Sequence, residues 1–208
     1  MSAQNGGQDR RTAIASSAQE LILRNGYGYT TLDQVAEQAG VSKGLISYYF
    51  PTKDALFLAV LENILARLTE DLERCYRADV SARERLRLNF KNLFGSEKRT
   101  RQYYLVLIDF LAQASRDSAV RDYTDVIYET VLRFMNWTVT DGIRAGEFRP
   151  TDSERVASLF VAVMEGLVFQ WLYNKDGVTL DDAYAICEAL ADDLLVSPSA
   201  SDRILAGG

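Results

Sequence analysis

Histidine is absent from the 208-residue chain. Ser-His-Asp and Cys-His catalysis are thereby excluded, as is any zinc site that needs an imidazole. Cysteine is scarce: Cys75 and Cys187 lie far apart and form no C-x-x-C pair, so they read as isolated buried thiols suited to a reducing cytosol. There are only three prolines, and no glycine falls between Gly44 and Gly95 or between Gly95 and Gly142. Long helices are therefore allowed almost everywhere. No basic segment followed by an apolar one opens the chain, so no export signal is expected and the cytoplasm is the expected location. The most apolar stretch, Val156 to Tyr173, carries Ser158, Glu165 and Gln170, which hydrocarbon disfavours; it is expected to be a buried helix or an interface, with no membrane partner.

What remains is ordinary globular composition, with 48% hydrophobic and 25% charged residues and a net charge of −6. Apolar residues recur at spacings of three and four from end to end, whereas strand-type alternation is hard to find, so the fold is expected to be all-α. A first helix, about Arg10 to Asn25, places Ile14, Ala18, Leu21 and Ile22 on one stripe and stops at Gly26. Thr31-Leu-Asp-Gln34 has the capping-box pattern and opens a second helix that ends at Gly40. Ser42 caps a short third helix, and a fourth begins at Pro51 or Thr52 and runs about 25 residues, or about 37 Å. Ser81-Ala-Arg-Glu84 and Thr151-Asp-Ser-Glu154 open later helices. Two more are expected over Thr100 to Ala114 and Ser118 to about Ala145, and a last one begins near Thr179.

The informative stretch is Thr30 to Leu56. Two short helices joined by a tight Ala39-Gly-Val-Ser42 turn make a helix-turn-helix: Gly40 permits the turn, Val41 packs between the helices and Ala36 is small enough for their crossing. The second helix, Ser42 to Tyr48, suffices to lie in a major groove and be read at its N-terminal end. Thr30, Thr31, Val35, Ala36, Ala39, Gly40, Val41, Ser42, Gly44, Phe50, Lys53 and Leu56 together form a pattern that resembles TetR-type transcriptional regulators, in detail over about residues 10 to 60. Ser47 departs from it, since many members have a DNA-reaching tyrosine there, and Ile46-Ser-Tyr-Tyr-Phe50 is similar to choline-responsive members.

Side-chain chemistry suggests the contacts. Thr31 and Ser42 offer hydroxyls and exposed backbone N–H groups at helix starts, a natural phosphate seat. Lys43, the only cation on the recognition helix, is a candidate for guanine or phosphate, and Gly44 lets the backbone approach the bases. Ser47 lies on the same short helix. Of Tyr48 and Tyr49, one is expected to pack and one to reach phosphate, and the resemblance favours Tyr49 as the contact. Lys53, in the first turn of the fourth helix, should reach the backbone as a point charge. Five cations balance five acids over residues 1 to 55, so the remainder carries all the negative charge; a neutral head on an acidic body would orient on DNA without strong nonspecific affinity.

The resulting expectation is a flexible arm over 1–9, a DNA-binding domain over 10–55, a helical effector-binding and dimerisation domain over 56–196 and a disordered tail over 197–208. Palindromic double-stranded operators require a two-fold protein, and the helices at about 153–173 and 180–196 would form a four-helix bundle with a symmetry mate. A ligand pocket is suggested by Phe90, Tyr103, Tyr104, Leu107, Phe110, Phe134, Trp137 and Trp171 with the polar Asp109. Aromatic faces with a carboxylate would suit a cation, unless Asp109 is taken by an arginine such as Arg101 or Arg133. The resemblance implies repression relieved by a small molecule, through a fourth helix acting as lever. No metal or cofactor is expected. The competing readings are a helical-bundle enzyme with paired carboxylates such as Asp109 and Glu165, which no nucleotide loop or nucleophile elbow supports, and a protein-binding adaptor.

Overall fold

A computed structural model describes residues 2–114, 118–174 and 176–196, with side chains at residue 7 and from residue 9 onward. Every regular element among the described residues is helical, as the spacing of apolar residues predicts. The expected disordered tail over 197–208 lies outside the described residues. The chain divides into two compact units, Met1–Thr69 with Arg101–Ile127, and Glu70–Thr100 with Tyr128–Gly208.

The first unit is built on α1 (Ser2–Asn25), α2 (Leu32–Gln38) and α3 (Lys43–Tyr49), with the larger part of α4 (Lys53–Tyr76), most of α6 (Glu97–Ala114) and the start of α7 (Ser118–Arg144). The stripe Ile14, Ala18 and Ile22 of α1 meets Val35, Ile46, Phe50, Val60 and Leu61 in one core, with Val106 and Phe110 contributed by α6. Phe57 lies between two rings, with Tyr27 at 3.6 Å and Phe110 at 3.9 Å between centroids, both stacked. Arg11 and Tyr123 both bond the Glu62 carboxylate, at 2.7 and 2.8 Å. Partial burial alone would raise the Glu62 carboxyl, but these two donors and the Arg11 charge hold it below its ordinary range.

The second unit contains the end of α4, α5 (Ala82–Phe94), most of α7, α8 (Ser153–Tyr173), α9 (Leu180–Ala191) and a π-helical turn, Asp192–Val196. α9 packs on both α5 and α8, and the fully buried Phe90 meets Phe160 at 5.7 Å. Arg83 grips Asp192 at 2.6 and 2.7 Å and Arg87 bonds Glu188 at 2.6 Å, which ties α5 to the π-helical turn and to α9 by charge-assisted bonds. Gly142 admits the Phe148 ring: a Cβ there would lie 2.1 Å from it.

The helix boundaries follow local chemistry. Thr31 and Gln34 form the expected capping box, Ser42 caps α3 through Leu45 N–H, and Thr179 with Asp182 forms a second box at α9. Three boundaries differ from expectation. α1 begins at Ser2, ahead of the Arg10 expected, so residues 2–9 of the segment read as a flexible arm lie in the helix, which no proline interrupts. α8 is capped by Asp152, not Thr151, because the aspartate accepts the Arg155 N–H at 3.1 Å and adds a negative charge at the dipole's positive end. α6 starts at Glu97, ahead of Thr100, because the Ser96 hydroxyl accepts the Arg99 N–H.

Candidate nucleic-acid interface and effector region

Gly40, at φ +64°, supplies the left-handed backbone that turns α2 into α3, and Val41 donates its N–H to the Ala36 carbonyl at 3.0 Å while packing against the core. α3 then buries Ile46 and presents Lys43, Gly44, Ser47 and Tyr48 to solvent on one face. Thr31 and Ser42 are exposed at the starts of α2 and α3. A Cβ at Gly44 would meet nothing closer than the Ser42 hydroxyl at 3.9 Å, so this end of the recognition helix is open to close approach.

The two tyrosines of α3 differ in burial. Tyr49 packs against the core, while Tyr48 is 78% exposed and meets Tyr49 edge-on at 5.1 Å. Three residues beyond the buried Ile46, position 49 falls on the helix's inner face, which decides which tyrosine packs.

The two lysines differ from their simplest reading. Lys43 pairs with Asp33 at 2.8 Å, both side chains largely exposed, so this weak surface pair can be exchanged for a phosphate or base edge. Lys53 turns inward: its ammonium donates to the Tyr27 carbonyl at 2.6 Å and the Gly28 carbonyl at 3.3 Å and lies 4.2 Å from the Tyr27 ring centre. Burial lowers its pKa, partly countered by Asp54. Lys53 thus shapes the turn between α1 and α2 that delivers Thr31. Tyr29, 81% exposed in that turn, was not singled out by the sequence pattern; its only signal is the Gly26-Tyr-Gly-Tyr29 repeat.

The nine residues expected around a ligand fall into both units. In the first, Tyr104 and Phe110 are buried, Tyr103 meets Tyr104 edge-on at 5.2 Å, and Leu107 is half-buried. Asp109 accepts the Tyr27 N–H at 3.0 Å, across 82 residues of sequence. A polar residue in an apolar run is satisfied there by a backbone donor, which the arginine-pairing expectation did not foresee. In the second unit Phe90 is a core ring and Trp171 is half-buried, whereas Phe134 and the 42% exposed Trp137 cluster with Tyr76 at 6.0 and 5.5 Å. Tyr76, Trp137, Thr140, Asp141 and Arg144 line an open cleft of about 350 Å³. Tyr76 and Asp141 were not anticipated; a tryptophan one helical turn before an aspartate, Trp137 and Asp141, was the available signal.

α8 is the one helix among the described residues long and apolar enough to cross a membrane, and 39% of its apolar window is buried within the fold. Its inner face holds Val156, Phe160, Val161, Met164, Leu167 and Val168. Leu159, Ala162, Val163, Gly166, Phe169 and Tyr173 form a less buried stripe, and on α9 Ala185, Ile186 and Ala189 are exposed. Glu165 has no ion-pair or hydrogen-bond partner among the described residues, and burial raises its pKa.

Comparison with known proteins agrees with this geometry. Residues 14–60 match the family of bacterial regulatory proteins of the TetR type, and residues 82–196 match the C-terminal domain of BetI-type transcriptional repressors. The HTH-type transcriptional regulator BetI of Rhizobium meliloti is 28% identical over 180 residues, covering 86% of each chain. The HTH-type transcriptional regulator RutR of Escherichia coli K12 is 30% identical over 153 residues, covering 71% of this chain and 68% of RutR. A regulator from Saccharomonospora viridis, solved in complex with choline, superimposes with a TM-score of 0.84 at 23% identity, covering 92% of this chain and 100% of that one.

Proposed function

The chain belongs to the TetR family of DNA-binding, ligand-responsive transcriptional regulators, and from that premise we propose that it is a cytoplasmic homodimeric repressor, released from a palindromic operator when a small molecule binds its C-terminal domain. The observation that carries this reading is the exposed face of α3, where Lys43, Gly44, Ser47 and Tyr48 stand clear of the core on a helix of groove-fitting length. Residues 10–55 form the reading head and residues 56–196 the regulatory part. Thr31 and Ser42 seat phosphates at helix starts, Lys43 and Ser47 face base edges, and the exposed Tyr48 and the half-buried Tyr49 reach the backbone. Lys53 acts on DNA through the turn it holds. No side chain is assigned a catalytic role.

The dimer forms through the outer stripe of α8 and the exposed face of α9. Ala162 and Gly166 let helices approach closely, and Leu159, Ile186 and Tyr173 supply apolar area that a lone chain leaves in water. The effector binds among the aromatic residues of the second unit; the relative solved with choline is an example of a small organic ligand held by this fold. Release follows by linkage: an effector preferring a head arrangement unsuited to the operator lowers its affinity, with about 1 to 3 kcal/mol of coupling sufficing.

Selection of bound sequences from a library of random duplexes tests the proposal. Inverted repeats with half-site centres about 34 to 36 Å apart, or a multiple of this, are expected. A library that returns no enriched sequence would overturn it.

A further inference from the structure

The cleft lined by Tyr76, Trp137, Thr140, Asp141 and Arg144 is charged against the trend of the molecule. In a chain of net charge −6, two guanidiniums, those of Arg85 and Arg144, flank the Asp141 carboxylate, and a third, that of Arg133, lies over the neighbouring Trp137 ring. Asp141 accepts the Tyr76 hydroxyl at 2.8 Å and meets Arg85 at 3.4 Å and Arg144 at 3.9 Å. Its negative charge is already shared among one hydroxyl and two cations. The π-faces are engaged as well: Arg85 lies 5.0 Å from the Tyr76 ring centre, and Arg133 lies 5.7 Å from that of Trp137. An incoming organic cation would find the carboxylate neutralised and, beside each ring, a guanidinium that repels it, while the other side of the indole stays open.

An anion meets the opposite situation. Arg144 is 77% exposed, touches Asp141 only at long range and turns its guanidinium to the cleft, where its planar fork suits a carboxylate. Arg85 adds a second positive charge from behind; its side chain is 15% exposed and its Nε is buried without a partner. Trp137 is 42% exposed at the cleft, whereas Thr140, also in the lining, already donates its hydroxyl to Ser153 at 3.1 Å. The volume, about 350 Å³, admits a one- or two-ring molecule.

We propose that this cleft binds a planar aromatic carboxylate, with the ring against Trp137 and the carboxylate on Arg144. The cation expected from aromatic residues with Asp109 is replaced by an anion, because Asp109 is occupied by the Tyr27 N–H and the carboxylate actually beside the aromatic cluster is outnumbered by arginines. That this ligand also controls DNA binding rests on the regulator reading above; that it binds does not.

The test is a ligand-observed NMR titration of the full chain with benzoate and with benzyltrimethylammonium, probes that share a ring and differ in charge. Benzoate is expected to bind about tenfold or more tightly than the cation, the scale of one charge-assisted bond. Arg144→Gln is expected to remove that preference, and the exposure of Arg144 leaves the fold intact. Arg155→Gln, the same charge change at an 89% exposed position on α8, is expected to leave it unchanged. Tighter binding of the cation, or benzoate binding indifferent to Arg144→Gln, would overturn the proposal. DNA is absent from the assay, so either result leaves the operator selection to judge the regulator reading separately.

Discussion

At the residue scale, function depends on whether a cation is free to leave its protein partner. Among the described residues Lys43 is held only by Asp33 across an exposed pair, so the proposed contact with DNA would cost little in lost stability. Lys43→Ala is expected to lower operator affinity by about 1 to 3 kcal/mol if the lysine reads a base. Asp33→Asn, which frees the lysine and removes a negative charge near the phosphates, is expected to raise it. Anisotropy titrations of both variants against a selected duplex check the pair, and the same direction of change in both would contradict the assignment. Lys53 and Asp109 act differently, since together they hold both backbone groups of Tyr27. Asp109→Ala leaves a half-buried N–H without its acceptor and is expected to cost about 1 to 3 kcal/mol of stability in chemical unfolding. Neither role was legible in the sequence, because the partners lie 26 and 82 residues away and only tertiary packing brings them together. That one of Tyr48 and Tyr49 packs was legible, but which one was not, because that depends on the helix phase fixed by Ile46.

At the element scale, helices were legible wherever a side chain closes its own helix end. Thr31, Ser42, Ser81 and Thr179 each accept an N–H three residues on, as their spacing predicts. Where two capping residues stood side by side, as Thr151 and Asp152, pattern alone could not choose between them. α8 shows what burial does to a charge. Glu165 sits two-sided between core and outer stripe, and burial keeps its carboxyl above the ordinary range. Unfolded, it titrates near about 4.3. The folded chain holds its proton to higher pH, so between the two pKa values the native state binds more protons and stability falls as pH rises. Glu165→Gln is therefore expected to raise the melting temperature at pH 7 and to leave it nearly unchanged near pH 4. An equal change at both pH values would show that packing, not ionisation, governs this position.

At the scale of the whole molecule, the reading head was legible because its pattern is local, some twelve residues over one short stretch. The cleft proposed for a ligand was not, because aromatic side chains are used for core and for cleft alike: Phe90 and Phe110 are sealed, and Trp137 is open. The proposed dimer was legible only as surplus apolarity on α8 and α9, and Leu159 and Ile186, each more than two-fifths exposed, are where that surplus reaches solvent. A charge placed in it, as in Ile186→Asp, is expected to yield monomers in sedimentation and to weaken operator binding with them, since two half-sites must be held at once. The central claim, that two copies of this chain read one DNA site through α3, is tested most directly by native mass spectrometry of the protein with a duplex recovered by selection. Two protomers on each inverted repeat, lost in parallel on Ile186→Asp and on Lys43→Ala, is the result predicted; a single protomer bound at full affinity, or no complex at all, would contradict it.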